Sequence, residues 1–196
     1  LAREFGVATE AKALAANSLT TTFLLTIVLV TNILLSMKRT LQAEIQQTKP
    51  FPSLEEEVHI QVLTAANAAN RVVTEALRPS QLSISQFNVL RILRGARPEA
   101  MPAGRIAERM VNRDPDLTRL LDRLEANGLV EKARDTKDRR VVNVRITPAG
   151  LELVEKASRS VSQAVKTALG PMGPRKLGQL ADLLEQLRAS ARDNLD

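Results

Sequence analysis

The chain has 196 residues and a formal net charge of +6, with no cysteine, one histidine, four phenylalanines and neither tyrosine nor tryptophan. The missing thiols exclude disulfides, thiolate metal sites and cysteine redox sensing, and they fit a reducing cytoplasm. The basic balance points to an acidic partner such as nucleic acid or an anionic membrane. The scarcity of rings argues against a single-strand platform, which stacks bases on aromatic side chains.

In chain order, residues 13–37 carry no charge and include the apolar run Phe23 to Leu35. That run has the character of a membrane span or the core of a signal peptide. Met37 follows it directly. Our reading takes Leu1 to Ser36 as upstream sequence translated from a misplaced start, with a genuine anchor or a cleaved signal as alternatives. If the anchor is real, Lys38 and Arg39 on its C-terminal side keep the remainder in the cytoplasm. A membrane is a partner only in that case.

Lys49-Pro50-Phe51-Pro52 forms a stiff lead-in, and Ser53 is placed to cap a helix with Glu55, Glu56 and Glu57 in its first turn. This helix is predicted to run to about Arg78, with an apolar stripe from Leu54 to Leu77, and Pro79 stops it. Ser83 opens a second helix that turns Phe87, Leu90 and Leu93 inward. Ala96 to Pro102 reads as a connector. A short helix, Ala103 to Met110, follows.

Asp114 as N-cap and Pro115 in the first turn predict a fourth helix ending in a left-handed cap at Asn127-Gly128. Leu117, Leu120, Leu121 and Leu124 share one of its faces; Thr118, Arg119, Asp122 and Arg123 share the other. Leu129–Ala133 and Val141–Ile146 read as a two-stranded hairpin whose tip carries Arg134, Lys137, Arg139 and Arg140. Thr147-Pro148 starts a long fifth helix, broken at Gly170–Pro174. A sixth helix carries Leu177, Leu180, Leu184 and Leu187. The first, fifth and sixth helices hold stripes with nothing local to cover them all, which implies pairing with a second copy as a homodimer.

The fold class is therefore mainly α with a small β-hairpin wing: a winged helix-turn-helix core flanked by N- and C-terminal dimerisation helices. Residues 37–196 form one regulator-like body, with dimerisation helices at 53–78 and 148–192 and a winged lobe at 83–147. An amphipathic helix beside a basic hairpin is an arrangement that holds double-stranded DNA, the helix in the major groove and the hairpin on the flanking backbone.

The hairpin also carries a motif. Asp138-Arg139-Arg140-Val141-Val142-Asn143-Val144-Arg145-Ile146-Thr147 resembles the D-x-R-x-x-x-V-x-L-T wing of the MarR family of bacterial transcriptional regulators, with Ile146 for Leu as the departure. The preceding LTRLLDRLEANGLVEK is similar to that family's recognition helix and exit strand, and SISQFNVLRIL to its second helix. The resemblance covers about Ser53 to Arg192. It implies a homodimer on a pseudo-palindromic operator, usually a repressor. It also implies release from DNA when a small organic anion binds between the dimerisation helices and the DNA-binding lobe.

Each residue of interest has a functional and a plainer reading. Thr118, Arg119 and Arg123 face the major groove, where an arginine can pair with guanine; alternatively Arg123 pairs with Asp122 or Glu125. Asp116 is expected to favour the helix dipole in the first turn, with acceptance from cytosine N4 as the alternative, and Arg113 to touch phosphate. Lys137 is expected on phosphate; the resemblance places Arg139 in the minor groove, with a mobile solvated tip as the plainer reading, Asp138 and Arg140 as a bracing pair, and Ser85 with Gln86 on phosphate, although Ser85 alternatively only caps its helix. His59, Arg71 and Phe87 are weak effector-site residues, with Arg91 and Arg94 as further anion partners. An effector pocket here is expected to be largely aliphatic, and a stacking site for phenols is in doubt. No catalytic constellation, metal cluster or cofactor motif is present, so no enzyme activity and no cofactor are expected. The competing classes are a helical protein-interaction module and a membrane-tethered form of the same regulator.

Overall fold

The computed structural model of the chain describes residues 41–111 and 116–193. The apolar run Phe23 to Leu35 and the segment holding Arg113, Asp114 and Pro115 lie outside the described residues. No helix among the described residues is long and apolar enough to cross a membrane. Contacts divide the chain into two units, Leu1–Leu63 and Thr64–Asp196, with the division inside the first long helix.

That helix, α1 (Leu54–Leu77), begins as the sequence leads one to expect. Ser53 Oγ accepts from the Glu56 amide at 3.2 Å, and three glutamates occupy the first turn. In the first unit, α1 leaves Leu54, Val58 and Leu63 exposed.

The second unit holds the core. A short 3-10 turn, Arg78–Ser80, ends α1, and α2 (Ile84–Ala96) follows. Ser83 and Gln86 close a capping box at its start: the Gln86 amide donates to Ser83 Oγ at 3.1 Å, and the Ser83 amide to Gln86 Oε1 at 2.9 Å. Next come β1 (Met101–Pro102), α3 (Ala103–Arg109) and α4 (Leu117–Ala126). The strands β2 (Val130–Arg134) and β3 (Val142–Ile146) form the hairpin, and the long helices α5 (Pro148–Leu169) and α6 (Gly173–Asp193) complete the chain. The core combines Phe87, Leu90 and Leu93 of α2 with Ile106 of α3, the inner leucines of α4, Val144 and Ile146 of β3, and Val154 of α5. Burial of these side chains stabilises the lobe by roughly 1.5–3 kcal/mol each.

Three features differ from the sequence reading. Met101–Pro102 is not only a connector: it pairs antiparallel with β3, Met101 opposite Val144 and Pro102 opposite Asn143, so the sheet has three strands in the order β1-β3-β2. Proline is tolerated there because β1 is an edge strand and needs no further donor. The hairpin begins at Val130, since Leu129 still belongs to the end of α4. The described N-cap of α4 is Asp116, whose side chain accepts from the Arg119 amide at 3.4 Å.

The exit from α4 does follow expectation. Gly128 is left-handed with φ 69°. The Gly128 amide reaches Glu125 O at 2.8 Å and the Leu129 amide reaches Leu124 O at 2.9 Å, a Schellman closure. Thr147 then ties the parts together. Its hydroxyl donates to Gly128 O at 2.7 Å and accepts from the Gly150 amide at 3.0 Å, while its own amide donates to Leu129 O at 3.1 Å. Gly150 is needed at this junction, because a Cβ there would lie 2.1 Å from Leu129 O. At the far end no described residue of α6 is buried, and Leu180, Leu183 and Leu187 stand exposed.

Candidate nucleic-acid interface

The helix α4 is strongly two-sided. Leu120, Leu121 and Leu124 are buried, and Leu117 is half-buried, so the opposite face with Thr118, Arg119, Asp122 and Arg123 is turned to solvent. The Arg119 side chain is 77 % exposed and its Nη1 lies 3.2 Å from Asp116 Oδ2. Such an exposed pair is weak and exchanges readily for another anion.

The acids on this face are held from the strand side. Lys132 of β2 places its ammonium on Asp122 Oδ1 and 2.9 Å from Glu125 Oε2, and its backbone amide donates to Glu125 Oε1 at 3.0 Å. Hydrogen bonds donated to Asp122 and then Glu125 raise the Lys132 pKa above its usual 10.5. Both carboxylates that stood as alternative partners of Arg123 are thus engaged by Lys132, and Arg123 makes no ion pair among the described residues. Sequence reasoning missed this clamp. Its only signal was two acids on the outer face of α4 and a lysine in the strand that returns beside it.

The hairpin tip is organised by Asp135, also missed. Its Oδ1 accepts from the Lys137 amide at 2.8 Å and the Asp138 amide at 3.2 Å, and its Oδ2 accepts from Asn143 Nδ2 at 2.9 Å. These donors, the Lys137 amide foremost, hold its carboxyl below the usual 3.8. The Asp135 amide donates to Val141 O at 2.9 Å, closing the turn. The side chains of Lys137, Arg139 and Arg140 are therefore displayed by a hydrogen-bonded turn, all exposed. Between Asp138 and Arg140, the bond present runs from the Arg140 backbone amide to Asp138 Oδ1, at 2.9 Å.

The remaining sequence candidates separate. Gln86 Oε1 is used in the capping box; the cap of α2 is Ser83, and Ser85 instead lines a cleft of about 300 Å³. The cleft lies among α1, α2 and α5, with Val73, Ile84, Phe87 and Val161 in its wall. Phe87 is buried, and Arg91 sits over its ring with Cζ 5.6 Å from the centroid. Arg71 is exposed and is not part of the lining. His59 is exposed in the first unit, beside Phe51, Glu55 and Glu56. The three weak effector candidates are thus not gathered in one lining, and only Phe87 contributes to this one.

Comparison with known proteins agrees with this geometry. The family model described as MarR family matches residues 82–142, which span α2 through the hairpin tip. The HTH-type transcriptional regulator TtmR of Methylorubrum extorquens (strain PA1) is 33 % identical over 143 residues, covering 73 % of this chain and 69 % of the relative. The homoprotocatechuate degradative operon repressor of Escherichia coli is 28 % identical over 130 residues, covering 66 % and 86 %. Among solved structures, a MarR transcription factor from Planctomyces limnophilus is 36 % identical, with a TM-score of 0.55, covering 70 % of this chain and 99 % of that one. The family match from α2 to the hairpin tip and this level of identity over most of a relative's length lead to one conclusion: the chain belongs to the MarR family of winged helix-turn-helix transcriptional regulators.

Proposed function

We propose that the chain binds duplex DNA as a homodimer on a pseudo-palindromic operator and acts as a ligand-responsive repressor in the cytoplasm. Thr118, Arg119 and Arg123 enter the major groove. Arg139 enters the minor groove, Lys137 rests on phosphate, and Asp138 with Arg140 braces the wing. Arg113, Ser85 and Gln86 add phosphate contacts. Residues 83–147 form the DNA-binding lobe, and residues 53–78 and 148–192 the dimerisation helices.

One observation carries this reading. Lys132 engages both Asp122 and Glu125 and offsets one of their two charges, so the outer face of α4 offers Thr118, Arg119 and Arg123 beside a wing tip bearing Lys137, Arg139 and Arg140. A helix face with bidentate donors next to a hydrogen-bonded cationic turn matches what base reading and backbone positioning require. The exposed leucines of α6 support the homodimer. The repressor role draws support from the relative named for repressing an operon.

The test is fluorescence anisotropy of the full chain on the duplex upstream of its own coding sequence, against a scrambled duplex, over a salt series. Binding should favour the first duplex and weaken steeply with salt. Arg119→Ala should remove about 1–3 kcal/mol of discrimination. Arg139→Ala should weaken binding to all sequences and reduce the salt slope by about 1. A protein-interaction module would be indifferent to both substitutions, and that result would overturn the proposal.

A further inference from the structure

The cleft among α1, α2 and α5 does not stand alone. A second, more polar cleft of about 410 Å³ adjoins it, and Asn88, Arg91 and Val111 line both. Arg94 and Arg109 line the second cleft with Arg91. Among the described residues, no aspartate or glutamate lines either one. An apolar chamber therefore opens beside three guanidinium groups, with Arg91 at the boundary. Arg94 is steadied by donating to Ser158 Oγ at 3.1 Å, and Arg91 by the ring of Phe87.

The chamber's chemistry is aliphatic. Its wall is built from Val73, Ile84, Met110, Val161 and Val165, with Phe87 as its aromatic member. The Phe87 ring is 4 % exposed and already lies under a guanidinium, so a ligand ring has no free face to stack on. The chain has no tyrosine or tryptophan to supply a hydroxyl or indole donor to a phenol.

We infer that this double cleft binds an aliphatic amphiphile with an anionic head, its chain in the apolar chamber and its head on Arg91 with Arg94 and Arg109 beside it. The inference rests on the reading of the chain as a ligand-responsive regulator and names the chemical class of its ligand. Carboxylate and phosphate monoester heads share the required chemistry, charge-assisted hydrogen bonding to guanidinium. The apolar volume, at the small end for ligand sites, suits a short to medium chain.

Isothermal titration calorimetry of the full chain tests this with octanoate, octyl phosphate, octanol and salicylate. Octanoate or octyl phosphate should bind about ten-fold or more tightly than octanol, because the head gains charged hydrogen bonds. Whichever of the two binds better identifies the head. Arg91→Gln should abolish the preference over octanol, and Arg91→Lys should retain it. Thermal melting of each variant checks that the lobe still folds. Salicylate binding more tightly than both octyl anions, or an unchanged preference in Arg91→Gln, would overturn the inference. Operator binding is measured on the same preparations without ligand. If the wild type binds its operator but ignores the octyl anions, the ligand class fails and the DNA reading stands; if it binds no operator, the failure belongs to that reading.

Discussion

Glu125 and Lys132 are joined twice: one carboxylate oxygen of Glu125 receives the Lys132 backbone amide at 3.0 Å, and the other lies 2.9 Å from its ammonium. The helix α4 and the strand β2 are thereby tied at two points, through a backbone amide and through a side chain. Lys132→Met should cost about 0.5–1 kcal/mol of stability, since the released carboxylates are partly exposed and regain water. Its effect on operator affinity should be larger, because losing the ammonium makes the outer face of α4 more negative by one charge. Lys132→Arg should preserve both properties. Melting curves and anisotropy titrations separate the two effects. The raised pKa sets the pH window: the clamp's contribution is complete below about 10.5 and is lost only as pH climbs through the higher native value.

Asp135 gives the opposite pH behaviour. Its native pKa is depressed, so its contribution to the wing turn is complete above the usual 3.8 and disappears as pH falls through the lower native value. NMR titration should show the Lys137 and Asp138 amides holding their shifts at pH values where ordinary aspartates have already protonated. Asp135→Ala should loosen the tip at neutral pH and weaken DNA binding without disturbing the helices. A rigid tip in that variant, read from amide relaxation, would contradict this role.

Gly150→Ala should destabilise the lobe by about 1–3 kcal/mol through overpacking. The added methyl would meet Leu129 O, a backbone atom that can move only if the α4-to-β2 turn moves with it. A lowered Tm with an unchanged far-UV spectrum is the expected result. An unshifted Tm would mean that the α5 junction is slack.

Replacing Leu183 and Leu187 by glutamate should convert the dimer to a monomer. Both side chains are exposed on α6, 62 % and 43 % respectively. Sedimentation velocity should report the halved mass while the winged lobe keeps its fold. Operator affinity should fall sharply, since each lobe then binds alone.

Local pattern made much of this molecule readable. The leucines of α4 repeat at helical spacing, and the structure buries Leu120, Leu121 and Leu124. Gly128 is left-handed because a helix had to end there, and Ser83 and Thr147 cap their helices through their hydroxyls. What escaped reading depends on contacts between elements. β1 is two residues long and includes a proline, too short to show alternation. Asp122, Glu125 and Lys132 look like ordinary surface charges until β2 returns beside α4. Gly150 resembles any glycine near a helix start until the Leu129 carbonyl is placed against it. At the site, the exposure of Thr118, Arg119 and Arg123 was legible from the leucine stripe; the engagement by Lys132 of the two acids that could have paired with Arg123 was not.

Thr147 holds the end of α4 and the start of α5 on one hydroxyl, leaving almost no play at the joint. Mechanically, α5 is then a crank. It has 22 residues, hence a length of about 33 Å, so a tilt of about 5° moves its far end by on the order of 3 Å. If a second copy clamps that far end, the displacement appears at the reading head instead. A small wedge placed beside α5 would then alter the spacing of two recognition helices without unfolding either of them.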